Sequence, residues 1–347
     1  MEYRTLGRTG VKVSTHCLGA MMFGPWGNTD EDECVRMVHE SLDAGVNFVD
    51  TADVYGEGRS EEIVGKALEG RRDDVVLATK VHGEMGKGPN ERGNSRLWIM
   101  REVEASLRRL RTDHIDLYQI HRPDPDTGIE ETLGALSDLV HQGKVRYLGC
   151  STFQAWQILQ SQWTSERRVL ESFACEQPPY SIFVRHIELD VLEVCRRYGM
   201  GVIVWSPLAG GWLSGKYRRG EQAPRDSRAV RFAERGSPVA RRYDVKVPEN
   251  QRKLDLVEAL SELARDAGIL LTDLAIAFAL AHPAVTSAII GPRTPEQLRQ
   301  LLAGADIRLD TATLDAIDEL VAPGTTVFDF DRGWFPPWMA PEARRRT

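Results

Sequence analysis

Four residues with side chains that can hold or transfer a proton lie at the ends of short apolar runs or just beyond them. Asp50 and Lys80 end two such runs, His121 directly follows a third, and Tyr55 lies in the segment after Asp50. Taken alone, each fits an ordinary structural role, such as a helix cap or a solvated strand end. An ionisable residue directly after a buried strand must be paired or desolvated, and both conditions shift its pKa. Four such residues together predict one shared catalytic site.

These residue types suit the delivery of a proton to an oxygen atom. A tyrosine hydroxyl ordinarily gives up its proton only near pH ~10, but a neighbouring cation makes it a usable acid at neutral pH. Lys80 would supply that cation, and Asp50 would hold Lys80 in place. His121 would direct a substrate carbonyl oxygen toward the hydroxyl of Tyr55. Reduction of the carbonyl by this route also needs a hydride donor.

Hydrophobic periodicity predicts the elements that would position these residues. The apolar runs are rich in Val, Ile and Leu and mostly lack polar alternation, which is typical of strands buried on both faces of a parallel sheet. Amphipathic helical patterns separate the runs. We therefore predict an α/β fold, a (β/α)8 TIM barrel of ~250 residues with its chemistry at the carboxyl ends of the strands. The eight predicted strands are 16–20, 46–50, 75–80, 115–120, 145–150, 173–177, 202–205 and 287–291.

An open, doubly wound sheet is the alternative fold. No GxGxxG motif follows the first run, and its absence argues against such a sheet. Two helix starts can be assigned to single residues: we expect Thr29 to cap a helix from Asp30, and Ser60 to cap a helix over 61–68.

The rest of the chain fits around one barrel. No linker or low-complexity segment divides it, so residues 1–347 are predicted to form a single barrel domain. Alternating residues around a Thr-Gly turn predict a β-hairpin over 2–13. A stretch with Gly, Arg and Pro predicts a long loop over 206–250. The tail, 323–347, is rich in Pro and aromatic residues, which would either line a substrate pocket or pack against the outside of the barrel.

Composition argues against several classes of function. The chain has 347 residues, 44 Lys and Arg against 51 Asp and Glu, and a net charge of −7, so nucleic acid is not an expected partner. No apolar run approaches the ~18 residues of a membrane span, and the polar N-terminus does not resemble a signal peptide. The five cysteines are scattered without a CxxC pair, which favours the reducing cytoplasm and argues against a disulfide framework or a zinc site.

Five motifs, in the same order along the chain, resemble those of the aldo-keto reductases. The resemblance spans roughly Tyr3 to Ala305. The branch that it points to includes potassium-channel β-subunits and many bacterial reductases, and its marks are CEQ at 175–177 and the stretch 205–217. The five motifs are NFVDTADVYG at 47–56, ATK at 78–80, QIHRP at 119–123, WSPL at 205–208 with GKY at 215–217, and IGPRTPEQ at 290–297.

The resemblance implies reduction of a small-molecule carbonyl by NADPH, without a metal. Asp50, Tyr55, Lys80 and His121 match the family's catalytic tetrad, with Tyr55 as the acid/base. Trp26 would join Tyr55 and His121 in the substrate pocket. The cofactor-binding residues implied are Ala20, Met21, Asp50, Ser151, Thr152, Gln177, Trp205, Ser206, Pro207, Leu208, Gly210, Lys216, Gly291, Arg293, Thr294, Gln297 and Gln300.

The implied contacts divide the cofactor site into parts. Trp205 would stack under the nicotinamide, and Ser151 and Gln177 would bind its carboxamide. The other residues with an implied role are Ser206, Leu208 and Lys216 on the pyrophosphate side, and Gly291, Arg293, Thr294 and Gln297 on the adenosine side.

The adenosine side also has a physical basis. Residues 294–297 are typical of a helix start, whose free N–H groups and dipole favour an anion. Arg293 beside it could bind a phosphate through two N–H groups, so NADPH is predicted over NADH.

Two positions depart from the family. Thr152 replaces a common Asn, and Leu301 stands where the family has an adenine-contacting Asn; Gln300 is the candidate to substitute for that Asn.

Two other functions are compatible with parts of the pattern. A cofactor-binding accessory or sensor subunit with little turnover would resemble the channel β-subunits, but that subgroup need not have a histidine at His121. A metal-dependent barrel hydrolase would need His and Asp clusters on several strand ends, and only His121 qualifies. The sequence leaves open the substrate (an aldehyde, a ketone, a sugar or a keto-deoxysugar), the physiological direction and whether the chain forms a homo-oligomer.

Overall fold

The computed structural model describes residues 1–225 and 227–345. The first two strands form an antiparallel hairpin, in which Tyr3 pairs with Ser14, in agreement with the predicted hairpin. The strands are β1 (Tyr3–Thr5), β2 (Lys12–Ser14), β3 (His16–Gly19), β4 (Phe48–Asp50), β5 (Val76–Val81), β6 (Ile115–Ile120), β7 (Val145–Ser151), β8 (Phe173–Gln177), β9 (Gly201–Val204) and β10 (Ser287–Ile290).

Strands β3 to β10 form a closed parallel barrel, in which each strand pairs with the next along the chain. The barrel closes because β10 pairs with both β9 and β3, which excludes the open-sheet alternative. The predicted (β/α)8 barrel is therefore confirmed. Each predicted strand run overlaps one barrel strand, and the bounds differ by no more than two residues.

Two apolar layers hold the barrel together. The larger lies between the strands and the surrounding helices. The smaller fills the barrel interior with strand residues such as Phe48, Leu117 and Ile203, and it includes Leu6 and Val13 of the hairpin. Because the hairpin packs at the amino ends of the strands, it closes that end of the barrel and leaves the carboxyl ends as the open mouth.

The helices pack around the barrel through their apolar faces, as the amphipathic patterns predict. Among the described residues, no helix is long and apolar enough to cross a membrane. The α-helices are α1 (Glu31–Asp43), α2 (Arg59–Ala67), α3 (Arg96–Leu110), α4 (Ile129–His141), α5 (Ala155–Arg168), α6 (Val191–Tyr198), α7 (Arg228–Glu234), α8 (Pro248–Asp266), α9 (Leu271–Ala281), α10 (Pro295–Ala303), α11 (Thr311–Leu320) and α12 (Pro341–Arg344).

Both predicted helix caps are wrong. Asp30, not Thr29, caps α1, because its carboxylate accepts a backbone N–H of the first turn. Helix α2 begins directly after Gly58, whose φ of 90° is left-handed. Ser60 therefore lies inside the helix, where its hydroxyl donates to the carbonyl oxygen of Ala20 at 2.8 Å. This bond ties α2 to the carboxyl end of β3.

The segment after β9 and the tail pack on each other. The former contains two 3-10 helices, Ala209–Ser214 and Pro238–Tyr243, with α7 between them. The fully buried Lys253 donates to Asp331 of the tail at 2.6 Å. Arg242 lies 3.3 Å from the other oxygen of the same carboxylate. The tail is thus joined to the long segment through one doubly paired carboxylate.

Candidate active site

The carboxyl ends of β4 and β5 hold a buried ion pair. Lys80 is fully buried, and its ammonium donates to Asp50 Oδ1 at 2.5 Å and to the carbonyl oxygen of Thr51 at 2.7 Å. The hydroxyl oxygen of Tyr55 lies 3.4 Å from the same nitrogen. An ammonium has three N–H donors, so each of them has an oxygen partner here.

Asp50 determines the charge state of Lys80. Burial alone would lower the pKa of Lys80, but the charge of Asp50 and the contact with Tyr55 outweigh burial and raise that pKa. The second oxygen of Asp50 accepts from the side-chain amides of Gln119 at 3.1 Å and Gln177 at 2.8 Å. The ammonium therefore stays charged at neutral pH, and its carboxylate partner is held from two further sides.

Tyr55 lies between the ion pair and the barrel mouth. It belongs to the connection between β4 and α2 and is partly exposed. The nitrogen of Lys80 lies 4.9 Å from the centre of its ring, and the ring of Trp26 lies 5.9 Å away. Arg231 of α7 donates to the carbonyl oxygen of Trp26 at 2.6 Å. The hydroxyl of Tyr55 thus has a fixed cation beside it, and the ring of Trp26 forms one wall of the space next to Tyr55.

His121 follows β6 and faces Tyr55 edge-on, with the ring centres 5.6 Å apart. Burial, together with the nearby positive charges of Arg122 and Lys80, holds the pKa of His121 well below its usual range. The imidazole is therefore neutral at physiological pH. A neutral imidazole has one N–H donor, which can orient an oxygen atom placed between it and the hydroxyl. The structure thus brings together the four residues predicted to share one catalytic site.

The ends of β7 and β8 carry groups that suit a primary amide. The hydroxyl of Ser151 donates to the backbone carbonyl of Gln177 at 2.8 Å. The side-chain nitrogen of Gln177 is bound to Asp50 and Gln119, and no described residue donates to its side-chain oxygen. Thr152 has a left-handed φ of 61°, which is rare for a β-branched residue and typical of strained functional positions.

Trp205 follows β9 and is held between distant parts of the chain. The guanidinium of Arg122 lies 5.8 Å from the centre of its ring. The backbone of the tail packs on its edge, because a side chain at Gly333 would place its first carbon 2.6 Å from the indole. An indole held in this way can support a stacked aromatic ring.

The turn after Trp205 is strained and carries a positive charge. Ser206 and Gly210 both have left-handed φ values, 61° and 69°, and the hydroxyl of Ser206 accepts the N–H of Gly210 at 2.9 Å. The ammonium of Lys216 lies over the turn, 3.4 Å from where a side chain at Gly211 would begin. Backbone N–H groups in such a turn, with a cation beside them, suit a phosphate. The predicted residues of this turn are Ser206, Pro207, Leu208 and Gly210.

Helix α10 begins next to Arg293, as predicted. The hydroxyl of Thr294 accepts the N–H of Gln297, and the Gln297 side chain accepts the N–H of Arg293 at 2.9 Å. The nitrogen of Gln300 donates to a threonine hydroxyl on α9 at 3.1 Å. Leu301 is buried, because its side chain packs into the apolar layer between helix and barrel. Gly291 is exposed in the connection before this helix.

Ala20 and Met21 complete this side of the mouth. They form a short 3-10 turn directly after β3. Asn28 in the following loop donates to the carbonyl oxygen of Arg293 at 3.0 Å, so this loop lies beside the start of α10. Groups that suit an amide thus lie at the ends of β7 and β8, an aromatic support and a phosphate-type turn follow β9, and a helix start follows β10. This order fits a nicotinamide dinucleotide.

The sequence reasoning missed two charged residues of the site. Arg122 donates to the carbonyl oxygen of its neighbour His121 at 2.5 Å and to the hydroxyl of Ser151 at 3.3 Å. Glu176 is fully buried and accepts the backbone N–H of Phe153 at 3.1 Å. Burial raises the pKa of Glu176 to about 8. Each of these two residues stands directly beside a residue assigned to the site, Arg122 beside His121 and Glu176 beside Gln177. A charge in that position, in or just after an apolar run, was the signal that could have identified them.

Comparisons with known proteins agree with this geometry. The Aldo/keto reductase family profile matches residues 17–322. The uncharacterized oxidoreductase YrpG of Bacillus subtilis is 41% identical, over 92% of this chain and 96% of its own length. A probable voltage-gated potassium channel subunit beta of Arabidopsis thaliana is 38% identical, over 92% and 97%. The aldo-keto reductase YhdN of Bacillus subtilis is 35% identical, over 87% and 88%.

Because the family match covers most of the chain and relatives align over nearly their whole length, the chain belongs to the aldo/keto reductase family and is an NAD(P)H-dependent oxidoreductase.

Proposed function

We propose that the protein reduces an aldehyde or a ketone to an alcohol with NADPH, and that Tyr55 donates the proton. The observation that carries this proposal is the fully buried ammonium of Lys80, which is bound to Asp50 and lies 3.4 Å from the hydroxyl of Tyr55. A fixed cation at that distance stabilises the phenolate that remains after the proton has left.

The residues around the barrel mouth suit NADPH, which when bound supplies the hydride. Trp205 would support the nicotinamide ring. The hydroxyl of Ser151 and the side-chain oxygen of Gln177, to which no described residue donates, would bind the carboxamide, which has both donors and an acceptor. The strained turn 206–210 and Lys216 would bind the pyrophosphate.

The proton-transfer step assigns one task to each residue. The Tyr55 hydroxyl donates its proton to the carbonyl oxygen as negative charge develops there. The ammonium of Lys80 stabilises the resulting phenolate, and Asp50 keeps that ammonium charged and in position. The neutral imidazole of His121 donates a hydrogen bond to the same oxygen and orients it toward Tyr55.

The preference for NADPH over NADH is supported by the start of α10. Arg293 stands directly before a capped helix start, where backbone N–H groups and the helix dipole favour an anion. A guanidinium can bind a phosphate through two parallel N–H groups. The 2′-phosphate of NADPH is such an anion, and NADH lacks it.

A second candidate is a cofactor-binding accessory subunit with little turnover. It is favoured by the relative from Arabidopsis thaliana that is named a probable potassium channel subunit beta. The complete set of Asp50, Tyr55, Lys80 and His121 favours the enzyme. Turnover in a panel of aldehydes and ketones under saturating NADPH separates the two: tight NADPH binding with no turnover in any substrate would favour the accessory subunit.

The proposed role of Tyr55 is tested by Tyr55→Phe. This variant should bind NADPH normally, measured by the change in cofactor fluorescence, and should lose nearly all turnover, measured by the decrease in absorbance of NADPH. Tyr198→Phe is a matched control, because it removes a hydroxyl from an exposed tyrosine on α6. Turnover of Tyr55→Phe within a few-fold of the unchanged protein would show that Tyr55 is not the proton donor.

A further inference from the structure

Among the described residues, the guanidinium of Arg122 at the site has no acidic partner. Its Nη1 donates to the carbonyl oxygen of His121 and to the hydroxyl of Ser151, and both acceptors are neutral. Within residues 1–225 and 227–345, no carboxylate forms an ion pair with it, and no acceptor is bound to its Nε or Nη2. Since a guanidinium offers five N–H donors, most of its hydrogen-bonding capacity remains unused.

Three carboxyl groups around the cleft do not neutralise this cation. Glu176 lies close enough to attract Arg122, but burial raises the pKa of Glu176 to about 8, so its carboxyl is neutral at neutral pH. Asp50 is paired with Lys80. Asp331 of the tail is bound by two other cations. Arg122 is half-buried, and a charge that is partly removed from water is costly without a partner, so the missing counter-charge at Arg122 points to a ligand.

Arg122 also lies beside the residues that would hold a reacting substrate. It directly follows His121, whose ring centre is 5.6 Å from that of Tyr55, and its guanidinium is 5.8 Å from the centre of the Trp205 ring. The charge of the guanidinium also acts on His121 and interacts with Tyr55, so a substituent on a carbonyl group held between these two residues would come within its reach.

We propose that Arg122 binds an oxyanion on the carbonyl substrate, a carboxylate or a phosphate located within a few bonds of the carbonyl carbon. The proposal rests on the proposed function, since it names the substrate class of the same site. Arg122 would act as a residue that determines specificity, because a guanidinium binds either oxyanion through paired N–H groups.

The test compares charged substrates with neutral partners of similar shape. Suitable pairs are benzoylformate and its methyl ester, 4-formylbenzoate and its methyl ester, and glyceraldehyde 3-phosphate and glyceraldehyde. The third pair distinguishes a phosphate from a carboxylate. For at least one pair, the kcat/KM of the charged member should exceed that of the neutral member by roughly 10- to 100-fold, the range of one charge-assisted hydrogen bond. A ratio at or below one in all three pairs would overturn the proposal without any variant.

Variants then assign the preference to one side chain. Arg122→Gln should bring the ratio close to one, and Arg122→Lys should retain part of it. Arg241→Gln is the matched control, because it removes the same charge from an exposed residue of the neighbouring segment and should leave the ratio unchanged. The proposal fails if Arg122→Gln lowers both members of a pair equally, since Arg122 would then only position Ser151 or Trp205. It also fails if the control Arg241→Gln changes the ratio as much as Arg122→Gln does.

A binding measurement keeps this test separate from that of the proposed function. Benzoate and benzamide cannot be reduced here, and their affinity for the NADP⁺-loaded protein can be measured by titration calorimetry. Benzoate should bind roughly 10- to 100-fold more tightly than benzamide, and Arg122→Gln should remove the difference. Equal binding of the two compounds to the unchanged protein would refute the role of Arg122, whether or not any carbonyl is reduced. Selective benzoate binding without turnover would instead refute only the proposed reaction.

Discussion

Replacing Lys80 with methionine removes the cation beside Tyr55 while keeping a side chain of similar length. At 3.4 Å and an effective dielectric constant of ~20, a unit positive charge stabilises a phenolate by about 5 kcal/mol. Tyr55 is partly exposed, so solvent screens this interaction, and we take about half of it, about 2.5 kcal/mol. Since each 1.36 kcal/mol changes a rate tenfold, turnover at neutral pH should fall by roughly 70-fold.

The reverse reaction gives a second measurement of the same effect. In the direction of alcohol oxidation, Tyr55 must act as a base and accept the proton of the substrate hydroxyl. The ammonium of Lys80, 3.4 Å from the Tyr55 oxygen, stabilises the charged form of that base, so Lys80→Met should slow alcohol oxidation as well as carbonyl reduction. Asp50→Asn should slow both reactions less, because that change only loosens the hold on Lys80.

One control concerns stability. Removing one partner of a buried ion pair leaves the other unpaired, which typically costs about 3–5 kcal/mol. Lys80→Met should therefore be accompanied by the double variant with Asp50→Asn, and both should be checked for NADPH binding and thermal unfolding. The reasoning is refuted if a folded, NADPH-binding Lys80→Met variant keeps most of its rate in both directions. Lys80 would then contribute only to the structure.

Two further predictions concern the cofactor and a buried acid. Arg293→Ala should raise the KM for NADPH much more than that for NADH, by the equivalent of about 1.5–3 kcal/mol, whereas the control Arg299→Ala, on the exposed face of the same helix, should affect neither. Equal losses for both cofactors would mean that Arg293 does not bind the 2′-phosphate. The pKa of Glu176 is about 8 in the folded protein, against an ordinary 4.5. Between these pH values the folded state keeps a proton that the unfolded state releases. The free energy of unfolding should therefore fall as the pH rises from 4.5 through 8. Glu176→Gln has no such proton, and its melting temperature should fall less steeply across this range; identical slopes for the two proteins would contradict the buried, protonated carboxyl.

Local patterns were sufficient for the barrel and for much of the site. The eight strands could be predicted because strands buried on both faces leave continuous apolar runs, and their carboxyl ends must meet at one mouth in a closed barrel. Asp50, Lys80 and His121 stand at these ends, so their convergence follows from the strand order. The prediction for Thr29 was wrong because the neighbouring Asp30 is an equally good capping residue by type. The prediction for Ser60 was wrong because its hydroxyl binds Ala20, 40 positions away.

Only the tertiary structure decided the contacts that complete the site. Gln177 reaches Asp50 across 127 positions of sequence, and the tail reaches Trp205 through Gly333. Neither contact leaves a local pattern, because each depends on barrel closure and on where the tail returns. The charge states of the site residues likewise depend partly on the sequence and partly on the tertiary structure. The sequence determined which ionisable groups are present. Burial and the nearest charges, which depend on the fold, keep Lys80 charged and His121 neutral and leave Arg122 without a counter-charge from the residues that the structure describes.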